Sequence, residues 1–394
     1  MKNVRSFAHA SVLVAYSLLL AAVASVRADD LQPSNNRTQA DFQAIEGIIA
    51  RGIEEGQMPG AVVVIADDQQ ILYQRAFGHR QIEPEREPMT MDTVFDLASL
   101  TKPVATATSV MRLIQAGKLD PEAPVSKYLP EFGDQGKDSI TVADLLLHVG
   151  GLIPDNALRD YQDGGEKSWQ RICELKPVAN RGEEFKYTDV GFIVLGKLVE
   201  RVSGVPLDQF AKREIFEPLG MTTTTFNPDD TLCLRAAPTE QRNGEWMRGE
   251  VHDPRAYLMD GVAGHAGLFS TAGDLVRYGQ AMLRNGSVGD VVVLEEPTFR
   301  LMTKPRQVPR GSRTFGWDHQ SPYSSNRGES LSTSAFGHGG FTGTAMWIDP
   351  GKNRVVVFLS NRLHPDGKGS VNRLAGEVAT LVGNATEDST GSTD

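Results

Sequence analysis

The segment Asp96-Leu97-Ala98-Ser99-Leu100-Thr101-Lys102-Pro103 places a serine and a lysine three positions apart, ahead of a helical pattern of Val104, Thr108, Met111, Leu113 and Ile114. On a helix, residues i and i+3 are surface neighbours with Cβ atoms about 5–6 Å apart, so the lysine amine can fold back onto the serine hydroxyl. Pro103 has no N–H for the Ser99 carbonyl and its ring would clash there, so regular helix is predicted to begin no earlier than about Ser99. At a helix N-terminus the partial positive charge stabilises an alkoxide and disfavours a second cation, which helps a lysine act as a base. The chemistry these residues suit is attack by Ser99 on a carbonyl, with Lys102 taking its proton. An S-x-x-K alone recurs by chance, usually as a solvated helix face, so its meaning depends on what else the chain carries.

Two further segments matter. Phe185-Lys186-Tyr187-Thr188-Asp189-Val190-Gly191-Phe192 opens a helical pattern through Val194, Leu195 and Leu198. Ala335-Phe336 leads into Gly337-His338-Gly339-Gly340-Phe341-Thr342-Gly343-Thr344 at the start of a strand. With S-x-x-K, these resemble the three motifs of the class C β-lactamase and penicillin-binding protein superfamily (S-x-x-K, Y-x-N, and K-T-G or H-x-G), particularly its esterase-like and D-peptidase-like members. The resemblance spans roughly Phe42 to Val382 and includes the segments Leu145 to Leu152 and Ala263 to Ala272.

The resemblance implies an acyl-enzyme on Ser99, with Lys102 and the Tyr187 phenol sharing proton transfer in acylation and in water activation. Tyr187 would need a lowered pKa, for which Lys102 is the nearby cation. The oxyanion hole would be two backbone N–H groups, from Ser99 and from Phe341 after Gly339 and Gly340, with no cofactor. His338 would hydrogen-bond Tyr187 or the substrate. Two departures bear on substrate: Asp189 stands where the β-lactamase pattern has asparagine, and His338-Gly339-Gly340 where it has lysine, threonine and glycine. An ionised aspartate only accepts hydrogen bonds and repels a carboxylate, which argues against efficient β-lactamase activity. The motif threonine would bind a substrate carboxylate; Thr342, Thr344 or an arginine elsewhere are the candidates to replace it.

Other histidines read differently. His148 lies in an apolar helical segment and reads as structural, and His265 belongs to a loop before a helix starting at Ser270-Thr271, close enough to line the cleft. His252, Asp253, Asp260 and His265 are metal-capable, but their spacing matches no compact ligand motif, and no metal is assigned. Cys173 and Cys233 are too few for a disulfide framework; one bridge or two buried thiols are both open.

The elements positioning these residues follow from periodicity. Thr38 to Glu55 carries apolar residues at helical spacing; Ala61 to Ala66 and Gln70 to Ala76 read as a hairpin, as do Thr344 to Ile348 and Arg354 to Asn361; Val371 to Val382 reads as a closing helix. Helix and strands at both chain ends flank a mainly helical middle, an α/β order. The expected architecture is an α/β (α+β), β-lactamase/transpeptidase-like fold, an antiparallel sheet flanked by helices with a helical insertion. Its catalytic domain covers 41–385, the α/β part about 41–110 and 284–385 and the helical part about 111–283.

The 394 residues, 40% hydrophobic, suffice for a large core. Lys2 and Arg5, an apolar run from Ser11 to Ala24, and Val26-Arg27-Ala28 read as a signal peptide over 1–28, followed by a linker (29–40), with a polar tail at 386–394. Cleavage would make the chain more acidic than its formal net charge of −10, which argues against nucleic acid as a partner. No later segment is apolar enough to span a bilayer. The leading expectation is an exported, periplasmic or secreted serine hydrolase acting as an esterase or amidase on a small ester, amide or D-amino-acid peptide. The alternatives are a cell-wall D,D-carboxypeptidase, penicillin-binding enzyme or weak β-lactamase, and a catalytically idle ligand-binding module.

Overall fold

Nine strands form one sheet in a computed structural model that describes residues 42–385. The expected signal segment, linker and tail lie outside the described residues. In chain order the strands are β1 (Gly60–Ala66), β2 (Ile71–Gln81), β3 (Glu87–Pro88), β4 (Arg306–Val308), β5 (Gly311–Arg313), β6 (Asp318–Gln320), β7 (Phe336–Gly340), β8 (Thr344–Asp349) and β9 (Arg354–Ser360). Across the sheet they run β4-β5-β6-β7-β8-β9-β1-β2-β3. Every pairing is antiparallel. The run GAVVVIA of β1 is buried along its whole length because it lies inside the sheet with both faces covered.

Side chains alternate across a strand, and the two faces of β1 meet different partners. Ala61, Val63 and Ile65 join Trp347 and Phe358 in a core with two helices, α1 (Ala44–Glu54), through Ile45 and Ile49, and the closing Asn372–Ala385, through Leu374, Val378 and Val382. The opposite face is covered by the helix Ala272–Leu283. A Cβ on Gly279 of that helix would lie 2.6 Å from Val355, so the helix presses against the sheet there. Both predicted hairpins form, with β2 reaching farther than its apolar pattern. Between the two chain ends lie several helices, a hairpin of Gln241–Arg242 with Glu245–Trp246, and a small antiparallel sheet of Phe95–Asp96, Leu268–Ser270 and Thr225–Phe226.

Both cysteines are free thiols, so the bridge reading does not hold. His364 is buried, and its Nε2 accepts the N–H groups of Ile82 at 3.0 Å and Glu83 at 3.2 Å. Burial lowers its pKa to about 4. Its folded pKa lies below the unfolded value, so its contribution to stability is complete above about pH 6.5 and is lost as pH falls through 4. Urea midpoints should fall over that window, with a shallower slope in His364→Gln.

Candidate active site

The chain reaches Ser99 through a constrained turn. Asp96 is buried; its Oδ1 accepts the Ala98 N–H at 2.8 Å and its Oδ2 the His252 N–H at 2.7 Å. Ala98 lies at φ +45°, a left-handed conformation that costs a non-glycine residue about 1–2 kcal/mol. The Asp96 bond and the Leu97 N–H donated to Leu268 O at 2.9 Å hold it there. Past Ser99 the chain enters a π-helical turn, Lys102–Ala107, and only then an α-helix, Thr108–Gln115. The wider turn accommodates Pro103, whose carbonyl is capped by the Thr108 hydroxyl at 2.8 Å.

Lys102 is fully buried, and its Nζ donates to Ser99 Oγ at 3.0 Å and to the His265 carbonyl at 3.0 Å. It lies 2.6 Å from Asp189 Oδ1, at the start of the helix Asp189–Ser203, whose N-cap Thr188 accepts the Gly191 N–H. Burial pulls the ammonium toward neutrality, but the Asp189 carboxylate and the Tyr187 phenol together hold it above the ordinary lysine range. Burial likewise works against an ionised Asp189, yet Lys102 and His265 keep that carboxyl below its ordinary value. The helix terminus was expected to disfavour the charge on this lysine; the neighbouring carboxylate outweighs the helix dipole.

Tyr187 faces Ser99 and Lys102 with a buried hydroxyl that makes no hydrogen bond of ordinary geometry among the described residues. Burial raises its pKa, and the Lys102 charge opposes this without reversing it, so the expected lowering does not occur. The ring is stacked between Tyr323, centroids 4.9 Å apart, and His148, 4.5 Å apart. His148 sits at φ +59°, after the helix Val142–Leu146, and its Nδ1 accepts the Thr188 N–H at 3.1 Å. It thereby fixes both the stacked ring and the helix start that carries Asp189.

His338 and Gly339-Gly340 end β7 beside this group. The His338 ring lies 5.8 Å from that of Tyr187, its Nδ1 is bonded to the Gly339 carbonyl at 2.7 Å, and burial drives its pKa well below the ordinary value, leaving it neutral. The hydroxyls of Thr342 and Thr344 donate to the carbonyls of Asp96 at 2.7 Å and Leu97 at 3.1 Å, which ties the turn carrying Phe341 to the turn carrying Ser99. Both threonines are 2% exposed, so neither replaces the missing motif threonine as a carboxylate binder. A Cβ on Gly340 would lie 2.2 Å from Thr344 Oγ1 and 2.4 Å from the Leu97 carbonyl. Gly340→Ala should push the two turns apart and lower kcat about 10²–10³-fold, the usual cost of one lost oxyanion donor, with KM much less affected. Steady-state kinetics on an aryl ester checks this.

Asp189, Asp253 and His265 offer metal-ligand atoms within 4.8 Å of one another. The cation this cluster requires is already supplied by Lys102, while Asp253 accepts from His265 Nε2 at 2.9 Å and from the N–H groups of Arg255 at 2.9 Å and Ala256 at 2.8 Å. His265 is buried behind Lys102 rather than lining the cleft, and His252 and Asp260 stand outside the cluster. Ser99, Tyr187, His338 and Phe341 open onto a cavity of about 410 Å³, whose wall also holds Tyr323 and Arg362. Sequence reading missed Asp96, His148, Tyr323 and Asp253 as supports of the site. Only Asp96 carried a local signal, an aspartate two residues before a strained turn.

The arrangement suits acyl transfer: a hydroxyl bonded to a buried lysine, a phenol beside both, and a glycine-rich strand end facing them. The beta-lactamase family model matches residues 45–380. N-acetylmuramyl-L-alanine amidase of Bacillus subtilis is 35% identical, over 86% of this chain and 84% of that protein. EstCE1, a hydrolase with promiscuous acyltransferase activity, superposes with a TM-score of 0.71 at 24% identity, covering 89% of this chain and 100% of that one. A penicillin-binding protein homologue from Caulobacter crescentus gives 0.72 at 21% identity, covering 91% and 99%. This chain belongs to the beta-lactamase family and is a serine hydrolase of that class. Among the described residues no helix is long and apolar enough to cross a membrane.

Proposed function

We propose that this protein is an exported amidase or esterase that cleaves a small cell-wall-derived amide or ester through an acyl-enzyme on Ser99. The observation that carries this reading is the 3.0 Å hydrogen bond from the buried Lys102 amine to Ser99 Oγ at the floor of the cavity. The 35% identity to an amidase that acts on N-acetylmuramyl-L-alanine supports an amide of that kind over a β-lactam.

In the resting site Lys102 is an ammonium, Asp189 a carboxylate and Tyr187 a neutral phenol. Substrate entry expels water, and a proton moves across the 2.6 Å pair from Lys102 to Asp189, leaving a neutral amine and a neutral acid. Ser99 Oγ then bonds to the carbonyl carbon as its proton passes to the amine, and the oxyanion is held by the Ser99 and Phe341 N–H groups. Collapse breaks the bond to the leaving group, which takes its proton from the Tyr187 phenol as the phenol is reprotonated from Lys102. Water attacks the acyl-enzyme by the same path in reverse and frees Ser99. A test is to incubate the protein with N-acetylmuramyl-L-alanine and follow alanine release. Release that disappears in Ser99→Ala supports the amidase reading, and release from aryl esters alone restricts the activity to esters.

A further inference from the structure

Among the described residues lining the cavity in front of Ser99, Arg362 is the one cation, His338 being neutral. The one carboxylate among those described residues, Asp318, is already engaged: Oδ1 accepts from Arg313 at 3.2 Å and from the His319 N–H at 3.0 Å, and Oδ2 accepts from the Ser324 hydroxyl at 2.7 Å. Arg362 is not balanced in this way. One N–H donates to the Gly369 carbonyl at 3.0 Å, and the carboxylate that acts on it, Glu240, does so from beyond ion-pair distance and is itself bonded to His252 Nε2. The side chain is nevertheless held in place. Its guanidinium sits 4.7 Å from the centroid of the Phe341 ring, and that ring stacks on His252 on a 5.6 Å spacing. Its stem packs on Gly343, at φ +103°, where a Cβ would lie 2.8 Å from Arg362 Cγ. The arginine is thus anchored to the same turn that presents the Phe341 N–H.

A planar cation with unused donors, fixed beside the oxyanion turn and facing a cavity of substrate size, is suited to bidentate recognition of a carboxylate. We propose that Arg362 is the specificity residue of this hydrolase and that its substrates carry a carboxylate near the scissile bond. The inference rests on the acyl-serine reading of Ser99 and adds the charge of the substrate to it. It assigns to Arg362 the carboxylate-binding task that the inward-turned Thr342 and Thr344 cannot perform. Phe341, 61% exposed, supplies an apolar face beside the charge.

Two ester pairs test this: 4-nitrophenyl succinate with its methyl-capped counterpart, which places the carboxylate on the acyl side, and 3-acetoxybenzoate with its methyl ester, which places it on the leaving group. Rates are normalised to hydroxide reactivity, and the readout is the charged-to-neutral ratio of kcat/KM, which does not depend on the folded fraction. In at least one pair the native ratio should be about 10–100, the scale of a hydrogen bond to a charged group. It should fall toward 1 in Arg362→Gln, remain intermediate in Arg362→Lys, and shrink in high salt. Equal ratios in native protein and Arg362→Gln for both pairs overturn the proposal. Calorimetric binding of succinate and 3-hydroxybenzoate to Ser99→Ala reads the subsite without turnover, and affinity for both acids unchanged by adding Arg362→Gln also overturns it. Turnover surviving in Ser99→Ala would instead defeat the acyl-serine reading.

Discussion

Ser99→Ala should abolish ester turnover while leaving the fold intact. Removing the nucleophilic serine of a well-studied protease lowers kcat about 10⁶-fold, so a fall of at least about 10³-fold is expected on a short-chain aryl ester. The fold should tolerate the change because Ser99 is only partly buried and Lys102 keeps Asp189 at 2.6 Å and the His265 carbonyl at 3.0 Å. A thermal midpoint close to that of the native protein would exclude misfolding as the cause. A fluorophosphonate should add one phosphonyl mass to the intact native protein and none to the variant. Equal turnover in both proteins would remove Ser99 from the mechanism, and inactivity of both would favour a ligand-binding role for the cleft.

Asp189→Asn should change the pH dependence of the reaction as well as its rate. In the native protein the proton moves within the Lys102–Asp189 pair, so the resting and reactive forms hold the same number of protons. The kcat/KM profile should be flat across the neutral range. It should fall only where Asp189 is protonated, below the ordinary carboxylate range, because Lys102 holds that carboxyl down. With asparagine the internal acceptor is gone, and Lys102 must lose its proton to solvent. Burial, no longer offset by the carboxylate, lowers the lysine pKa, so kcat/KM should rise with pH through a single limb below the ordinary lysine value. A flat profile in both proteins would exclude Lys102 as the base. Lys102→Met removes the amine altogether and strands the Asp189 carboxylate. It should lower kcat about 10²–10⁴-fold, the range of general-base catalysis, and cost about 3–5 kcal/mol in stability, the range for breaking a buried ion pair. Calorimetric or urea unfolding checks the second figure.

Much of the site was legible because its signals are local. Ser99 and Lys102 are three positions apart, and one turn of any helical form brings their side chains together; the short apolar, β-rich runs of β1, β2, β8 and β9 between turn residues mark strands. Gly340 precedes a turn that only a residue without a Cβ can form so close to Thr344. What the chain order could not convey is the protonation of these groups. The charge on Lys102 depends on Asp189, and Asp189 in turn is held by Lys102 and by His265, which reaches the site from a distant loop. Tyr187 was expected to lose its proton easily because a lysine lay nearby, but burial by surrounding aromatic rings outweighs that lysine. Thr342 and Thr344 had the right chemistry for a substrate carboxylate, and the packing of two turns directs both hydroxyls inward. Arg362 belongs to no motif and reaches the cavity because its stem packs on Gly343. The sequence by itself determined which groups are available and which neighbours share a helical turn or a strand face. Only the tertiary structure decided which of them are charged, which are committed to backbone partners and which face the substrate, since desolvation and Coulomb interactions act through space between segments distant along the chain.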